Sequence, residues 1–190
     1  MLFVEGERTE VDYFTYWRRR CREHAIVVID DRARSPEQLV DRAVKEKRSQ
    51  ARDARKARGR ADDEIWCVFD RDEHVHFDAA VRRATDNRIN VAGSNPCIEL
   101  WFMLHYEDRM AYIERRHAQA CARKWLRCSK ALTQDALDSM ASRYDEAVKR
   151  AKALDRKHRD DGSASRSNPS SDVWRLVNSI LGEGGRGPGQ

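Results

Sequence analysis

The sequence contains no apolar run long enough to cross a bilayer, for which a helix needs about 20 apolar residues. Met1 leads directly into a predicted strand instead of a signal peptide. The five cysteines are odd in number and include no CxxC pair, which favours reduced thiols over a disulfide framework. These absences predict a cytoplasmic protein that has no contact with a membrane.

Charged residues make up 36% of the 190 residues, and the mean hydropathy is -0.86. Such values fit a disordered chain when the polar residues are spread evenly. Here the apolar residues are concentrated in compact runs, and the length is sufficient for one core. We therefore expect one folded unit with long polar helices and no internal repeat. The compact runs lie at 1–4, 25–29, 65–69 and 97–106.

Short apolar segments alternate with helical patterns up to Pro96, which indicates a parallel sheet with right-handed crossovers. The last predicted strand breaks at Gly93 and Pro96. The predicted strands are 2–7, 25–31, 64–70 and 88–96. The predicted helices are 9–24, Pro36 to Arg58, 77–86, 97–107, 109–127, 134–158 and 172–181, with a Ser-rich loop at 162–171.

These elements predict an α/β fold with a Rossmann-like parallel sheet flanked by helices and a helical C-terminal extension. We place the sheet domain at 1–107, the helical extension packed on it at 108–181, and a disordered tail at 182–190.

Acidic residues stand at the carboxyl ends of three of the predicted strands. The first strand ends in Glu5, the second in Asp30 and Asp31, and the third in Asp70 and Asp72. The carboxyl ends of parallel strands share one edge of a sheet, where α/β proteins bind ligands. Mg²⁺ or Mn²⁺ prefers carboxylate oxygens and would offset the repulsion between these acids. We predict a metal site at Glu5, Asp70 and Asp72. The alternative is that acids here cap helices, which we favour for Asp30 and Asp31.

Three segments carry a more specific resemblance. A strand that ends in Glu-Gly, followed two crossovers later by Asp-x-Asp, resembles the Toprim domain. EGERTEVDYF, VFDRDEH and SNPCIELWFMLHYE together resemble the RloB family, also described as the AbiLii component of abortive-infection systems. The resemblance is strong over about residues 1–107 and weaker through 167–177.

The resemblance implies a Mg²⁺- or Mn²⁺-dependent nuclease that serves as the toxin of a bacterial anti-phage system. It further implies RNA, with tRNA as the first choice, as the substrate and an ATPase as the partner. A homo-oligomer is also compatible with it.

Residue roles follow from the matching motifs. Glu5 is expected as a metal ligand or general base, and Asp70 and Asp72 match the aspartate pair, with Asp70 the more direct ligand. Glu10 matches the second acid of the first motif. Glu99 would be a second-metal ligand, or alternatively a surface glutamate at a helix start.

The phosphate-binding groups are less well defined by the resemblance. Ser94 and Asn95 would orient the phosphate or a ligand water. Many Toprim nucleases place a lysine near the metals, whereas no lysine precedes Lys45 here. His105 could alternatively be a buried partner of a carbonyl or an acid. The candidate cations are Arg8, Arg71, His105 or a residue from elsewhere in the chain.

The stretch 42–60 carries nine Arg or Lys residues against two acids. Its apolar residues dwindle to alanines after Val44, so its far end should project from the core. We predict that it grips a phosphate backbone; a solvated helix or an acidic patch on a partner protein are the alternatives. The proposed contacts are Arg52, Arg55, Lys56 and Arg58.

Two other functions remain as alternatives. A haloacid dehalogenase-type phosphotransferase also uses Asp-x-Asp, but it prefers Thr or Val at the position of His74. A Toprim-like nucleic-acid-binding or regulatory subunit without catalysis would need none of the acids. His117, Cys121 and Cys128 are interpreted as packing residues, not as metal ligands.

Overall fold

Short apolar runs form the strands of the sheet, and their side chains point alternately to its two faces. The computed structural model describes residues 1–6, 8–20, 27–29, 35–57, 64–71, 74–127 and 131–182. Its strands are β1 (Leu2–Val4), β2 (Val27–Ile29), β3 (Trp66–Asp70), β4 (Asn90–Asn95) and β5 (Ser170–Ser171). Their order is β2-β1-β3-β4-β5; the first four are parallel and β5 is antiparallel to β4. The predicted α/β class with a parallel sheet is confirmed.

Helices connect and follow the strands. Ser35 caps the second helix, because its Oγ accepts a hydrogen bond of 3.3 Å from the backbone N–H of Gln38. Pro36 stands at the first helical position, where the sequence predicts the helix to begin. None of the described helices has the length and apolarity needed to cross a membrane. The helices are α1 (Thr9–Arg20), α2 (Pro36–Lys56), α3 (Phe77–Asp86), α4 (Ile98–Leu104), α5 (Arg115–Leu126), α6 (Gln134–Ala141), α7 (Tyr144–Asp160) and α8 (Val173–Leu181).

Each face of the sheet has its own apolar core. Phe3, Cys67 and Phe69 pack with α2 and α3 on one face. Leu2, Val4, Val68 and Ala92 pack on the other face with α1 and with α4 to α8. The sheet is therefore covered on both sides, as parallel sheets require.

The strand order creates a switch point between β1 and β3. The chain leaves β1 through α1 to reach β2, and then crosses over the opposite face through α2 to reach β3 on the other side of β1. Crevices at the carboxyl ends of strands lie at such switch points. The position of a site is thus determined by topology before any side chain is considered.

Several predicted boundaries are wrong. β4 continues through Gly93, where a Cβ atom would lie 3.0 Å from the ring of Phe77; the glycine permits close packing and does not end the strand. The predicted helix at 134–158 is two helices, α6 and α7, on one core. The helix predicted from 109 begins at Arg115. Of the predicted tail, all but Gly182 lies outside the described residues.

β5 lies in the predicted Ser-rich loop and reveals a short repeat that inspection of the sequence missed. Residues 94–101 and 167–174 share the pattern Ser-Asn-Pro-x-x-acid-x-Trp. The two copies pair through Ser94 with Ser171 and Asn95 with Ser170. The second copy therefore closes the outer edge of β4 at its carboxyl end.

Candidate active site

Glu5 and Asp70 lie at the switch point, one after β1 and the other at the end of β3. The backbone N–H of Glu5 donates to the carbonyl oxygen of Val68 at 3.1 Å and so extends the β1–β3 ladder. Burial raises the pKa of both carboxyl groups, that of Asp70 well above its ordinary value. Topology thus brings together two acids that are 65 positions apart in the chain.

Glu10 joins them from the first turn of α1. Its carboxylate packs directly on Gly6, where a Cβ atom would lie 2.0 Å from a carboxylate oxygen. Burial, followed by the charges of Glu99 and Glu5, raises the pKa of Glu10 to about 7. A larger residue at position 6 would therefore displace this carboxylate.

Glu99 enters the same group from the first turn of α4. Its charge raises the pKa of both Glu10 and Asp70. Cys97 is fully buried at the helix N-cap, and burial, followed by the charge of Glu99, raises the pKa of its thiol. Glu99 is thus part of the acid cluster, which we define as Glu5, Glu10, Asp70 and Glu99.

The cation that faces the acid cluster is Arg115, at the first position of α5. Its charge lowers the pKa of Glu5, Glu10 and Asp70 against the larger effect of burial. Sequence reasoning missed this residue and left the cation open. One signal was present: α5 starts with two arginines and no acid in its first turn, an arrangement that the helix dipole disfavours.

A comparison with known protein families identifies the family of the chain. A sequence model of the family described as RloB-like protein matches residues 1–180. The chain belongs to the RloB-like family. No curated protein matches the chain significantly, and no solved structure does either.

His74 is a second residue of this RloB-like site that sequence reasoning did not select. Its Nε2 lies 3.1 Å from Oε1 of Glu5. It follows Asp72 and Glu73, which lie outside the described residues, as do Asp30 and Asp31. An imidazole on Glu5 places a group able to bind a metal or carry a proton at the mouth of the acid cluster.

Two carboxylates of the acid cluster contact other groups of the protein. Glu5 contacts His74, and Glu10 packs on Gly6. Among the described residues, no three His, Cys, Asp or Glu side chains are arranged to hold a metal ion together. The chemistry of the donor set nevertheless suits a hard cation, because carboxylate oxygens are the ligands that such cations prefer and, in the described part of the chain, Arg115 faces three of these acids.

Ser94 and Asn95 hold the C-terminal copy of the repeat in place. The buried Ser94 hydroxyl is 3.0 Å from Oγ of Ser171. The Asn95 side-chain amide donates to the carbonyl oxygen of Arg166 at 2.8 Å. Both side chains therefore contact other groups of the protein. The sequence had led us to expect that they orient a phosphate or a ligand water.

The three residues expected to provide a cation near the metals have three different environments in the structure. Arg8 is exposed at the start of α1. Arg71 pairs with Asp78 at 3.0 Å and lies over the ring of Phe77. His105 is buried, its Nδ1 lies 2.9 Å from the carbonyl oxygen of Trp101, and burial lowers its pKa to about 3. His105 is therefore neutral and belongs to the core.

The basic half of α2 is exposed, as expected, at Arg52, Arg55 and Lys56, while Arg58 lies outside the described residues. It does not adjoin the acid cluster. Gln50 Nε2 contacts Met1 Sδ at 3.7 Å, so the helix is already level with the amino end of β1 six residues before it ends. The last six residues of α2 and the length of β1 together place the last turn of α2 about 20 Å from Glu5.

Proposed function

We propose that this RloB-like protein is a divalent-metal-dependent nuclease that hydrolyses phosphodiester bonds, with RNA as its preferred substrate. The observation that carries the proposal is the acid cluster at the switch point, opposed by Arg115. Structural acids at helix starts do not need to share one buried site, and their pKa values are not normally raised by one another.

The raised pKa values support cation binding. Protons occupy these carboxyl groups more readily than usual because partial burial, and after it the charge of the neighbouring carboxylates, disfavours the ionised form. A divalent cation competes with those protons, so its affinity should increase as the pH rises. Glu5 and Asp70 would be among its ligands, as the sequence predicts, and the bound cation would lower the pKa of water and neutralise charge on the phosphate.

The chain's own groups suit the remaining tasks. Glu10 has a pKa of about 7, which allows it to accept a proton from the attacking water near neutral pH and to return it to the leaving oxygen. Arg115 provides the cation for a non-bridging phosphate oxygen, the task for which the resemblance implied a lysine. Together they would complete hydrolysis without a covalent intermediate.

The biological setting is proposed on the family resemblance. We propose that the protein is the toxin of an abortive-infection system, acts on tRNA-like RNA in the cytoplasm, and is controlled by a partner ATPase. The alternative, a non-catalytic nucleic-acid-binding or regulatory subunit, would leave the charge of the acid cluster without a use.

The test is cleavage of labelled total RNA and of plasmid DNA with Mg²⁺, Mn²⁺ or a chelator. Asp70→Asn and Glu5→Gln should each lower turnover by orders of magnitude, because each removes a ligand carboxylate. Asp160→Asn, at the exposed end of α7, is the matched control and should cleave like the parent.

The proposal fails if both site variants cleave as well as the parent. If the parent is inert alone, the assay is repeated with the partner ATPase. Nucleic-acid binding without cleavage under both conditions would establish the non-catalytic alternative.

A further inference from the structure

The inference concerns α5, which begins at the acid cluster. Arg115 faces the carboxylates, and the rest of the helix leads away from them. Residues 115–127 contain five Arg or Lys residues and no acid. At about 1.5 Å per residue, this segment extends about 18 Å from the site.

The cations of α5 divide between two faces. Ala118, Ala122 and Leu126 are buried against the core, and Arg115 is on that side of the helix. Positions 116, 120, 123 and 127 are spaced by four, three and four residues and form one exposed stripe, flanked by the exposed Lys124.

Described acidic residues do not neutralise the stripe. Within the described part of the chain, no acidic side chain forms an ion pair with Arg116, Arg123 or Lys124. Some other arginines are paired, such as Arg83 with Asp41 and Arg150 with Asp108. Unpaired like charges in one row raise the local potential and favour a polyanion.

Position distinguishes this surface from the basic half of α2. α2 runs from the carboxyl edge of the sheet, where Glu37 pairs with His76, to the amino edge, where Lys47 donates to the carbonyl oxygen of Asn87. A nucleic-acid strand bound along the end of α2 would be on the wrong side of the sheet to reach Glu5. A nucleic-acid strand bound along α5 would already be at Arg115.

We infer that the exposed stripe of α5, formed by Arg116, Arg123, Lys124 and Arg127, binds the sugar–phosphate backbone of the substrate and leads it to the acid cluster. This inference rests on the proposed function. A length of about 18 Å matches about five stacked nucleotides at 3.4 Å each. Charge contacts of this kind position a strand without reading its sequence.

The experiment compares two charge-matched variants. One replaces Arg116, Arg123 and Lys124 with Gln, and the other replaces Arg52, Arg55 and Lys56 with Gln. Each loses two Arg and one Lys, and Gln preserves helix propensity. Binding of a labelled RNA hairpin is measured by fluorescence anisotropy from low to high salt, in an Asp70→Asn background that removes cleavage.

The α5 variant should bind at least tenfold more weakly, and the slope of log affinity against log salt should decrease by about 2 to 3. Its loss should exceed that of the α2 variant. Replacing Arg116 and Arg123 with Lys instead should restore the slope, because a phosphate contact needs only the charge. Circular dichroism checks that α5 remains folded.

The inference is overturned if the α2 variant loses as much affinity as the α5 variant, or if the Asp70→Asn protein does not bind RNA. Binding that depends on α5 without cleavage by the parent would support the surface while the nuclease proposal fails. If the parent cleaves RNA and the α5 changes do not affect that cleavage, the nuclease proposal is supported and the inference about the α5 surface fails.

Discussion

Replacing Glu10 with Gln should make the folded protein more stable at alkaline pH and leave its stability at acidic pH nearly unchanged. The ordinary pKa of 4.5 rises to about 7 on folding, mainly through burial. The folded state therefore binds the proton more tightly than the unfolded state, and this residue's contribution to stability falls as the pH increases from about 4.5 to about 7. Gln is neutral at every pH and avoids that loss.

The expected gain at pH 8 is about 3 kcal/mol, from the size of the pKa rise. For a chain of this length it corresponds to an increase in Tm of about 6 to 12 °C. The charge of Glu10 also raises the pKa of Asp70. Removing that charge reduces the repulsion at Asp70, which increases stability in the same direction. Urea unfolding at pH 5 and pH 8, followed by circular dichroism, measures the difference.

Glu146→Gln is the control, because Glu146 is exposed in the first turn of α7. It should show no gain that depends on pH. The electrostatic account of the acid cluster is refuted if Glu10→Gln and the parent lose the same stability between pH 5 and pH 8. Under the proposed function, Mn²⁺ at pH 8 should stabilise the parent more than Glu10→Gln.

Two further substitutions test particular contacts. Gly6→Ala should displace the Glu10 carboxylate, since the new Cβ would lie 2.0 Å from it, with little change in Tm. Under the proposed function it should lower cleavage at least tenfold, and parent-like cleavage would contradict the role of Glu10. Asp172→Asn should cost about 3 kcal/mol in urea unfolding, because Asp172 is buried between Arg166 at 2.5 Å and Arg175 at 3.2 Å; a cost below about 1 kcal/mol would show that these pairs contribute little.

The positions of Glu5 and Asp70 were predictable because they depend on strand order alone. A strand that ends in an acid delivers that acid to the carboxyl edge of the sheet, whatever the helices do. Glu10 and Glu99 were identified through the resemblance, and the structure places both in the acid cluster. The location of Asp72 stays a prediction, since it lies outside the described residues.

Arg115 was not predictable in the same way. Its position depends on the path of the irregular segment 107–114 and on how α5 packs against α4, and neither follows from a periodic pattern. The basic half of α2 is the opposite case. A crossover helix returns the chain to the amino edge, so the sequence already contained the information that Arg52, Arg55 and Lys56 lie far from the acids.

The pairing of β4 with β5 has a consequence for synthesis of the protein on the ribosome. All four carboxylates of the acid cluster are translated within the first 99 residues, but the strand that closes β4 and the helix α8 that shares its core come after residue 169. A nascent chain that stops earlier leaves the edge at Ser94 and Asn95 without its partner strand. The carboxyl end of β4 therefore gains its partner strand only after the segment that follows residue 169 has been translated.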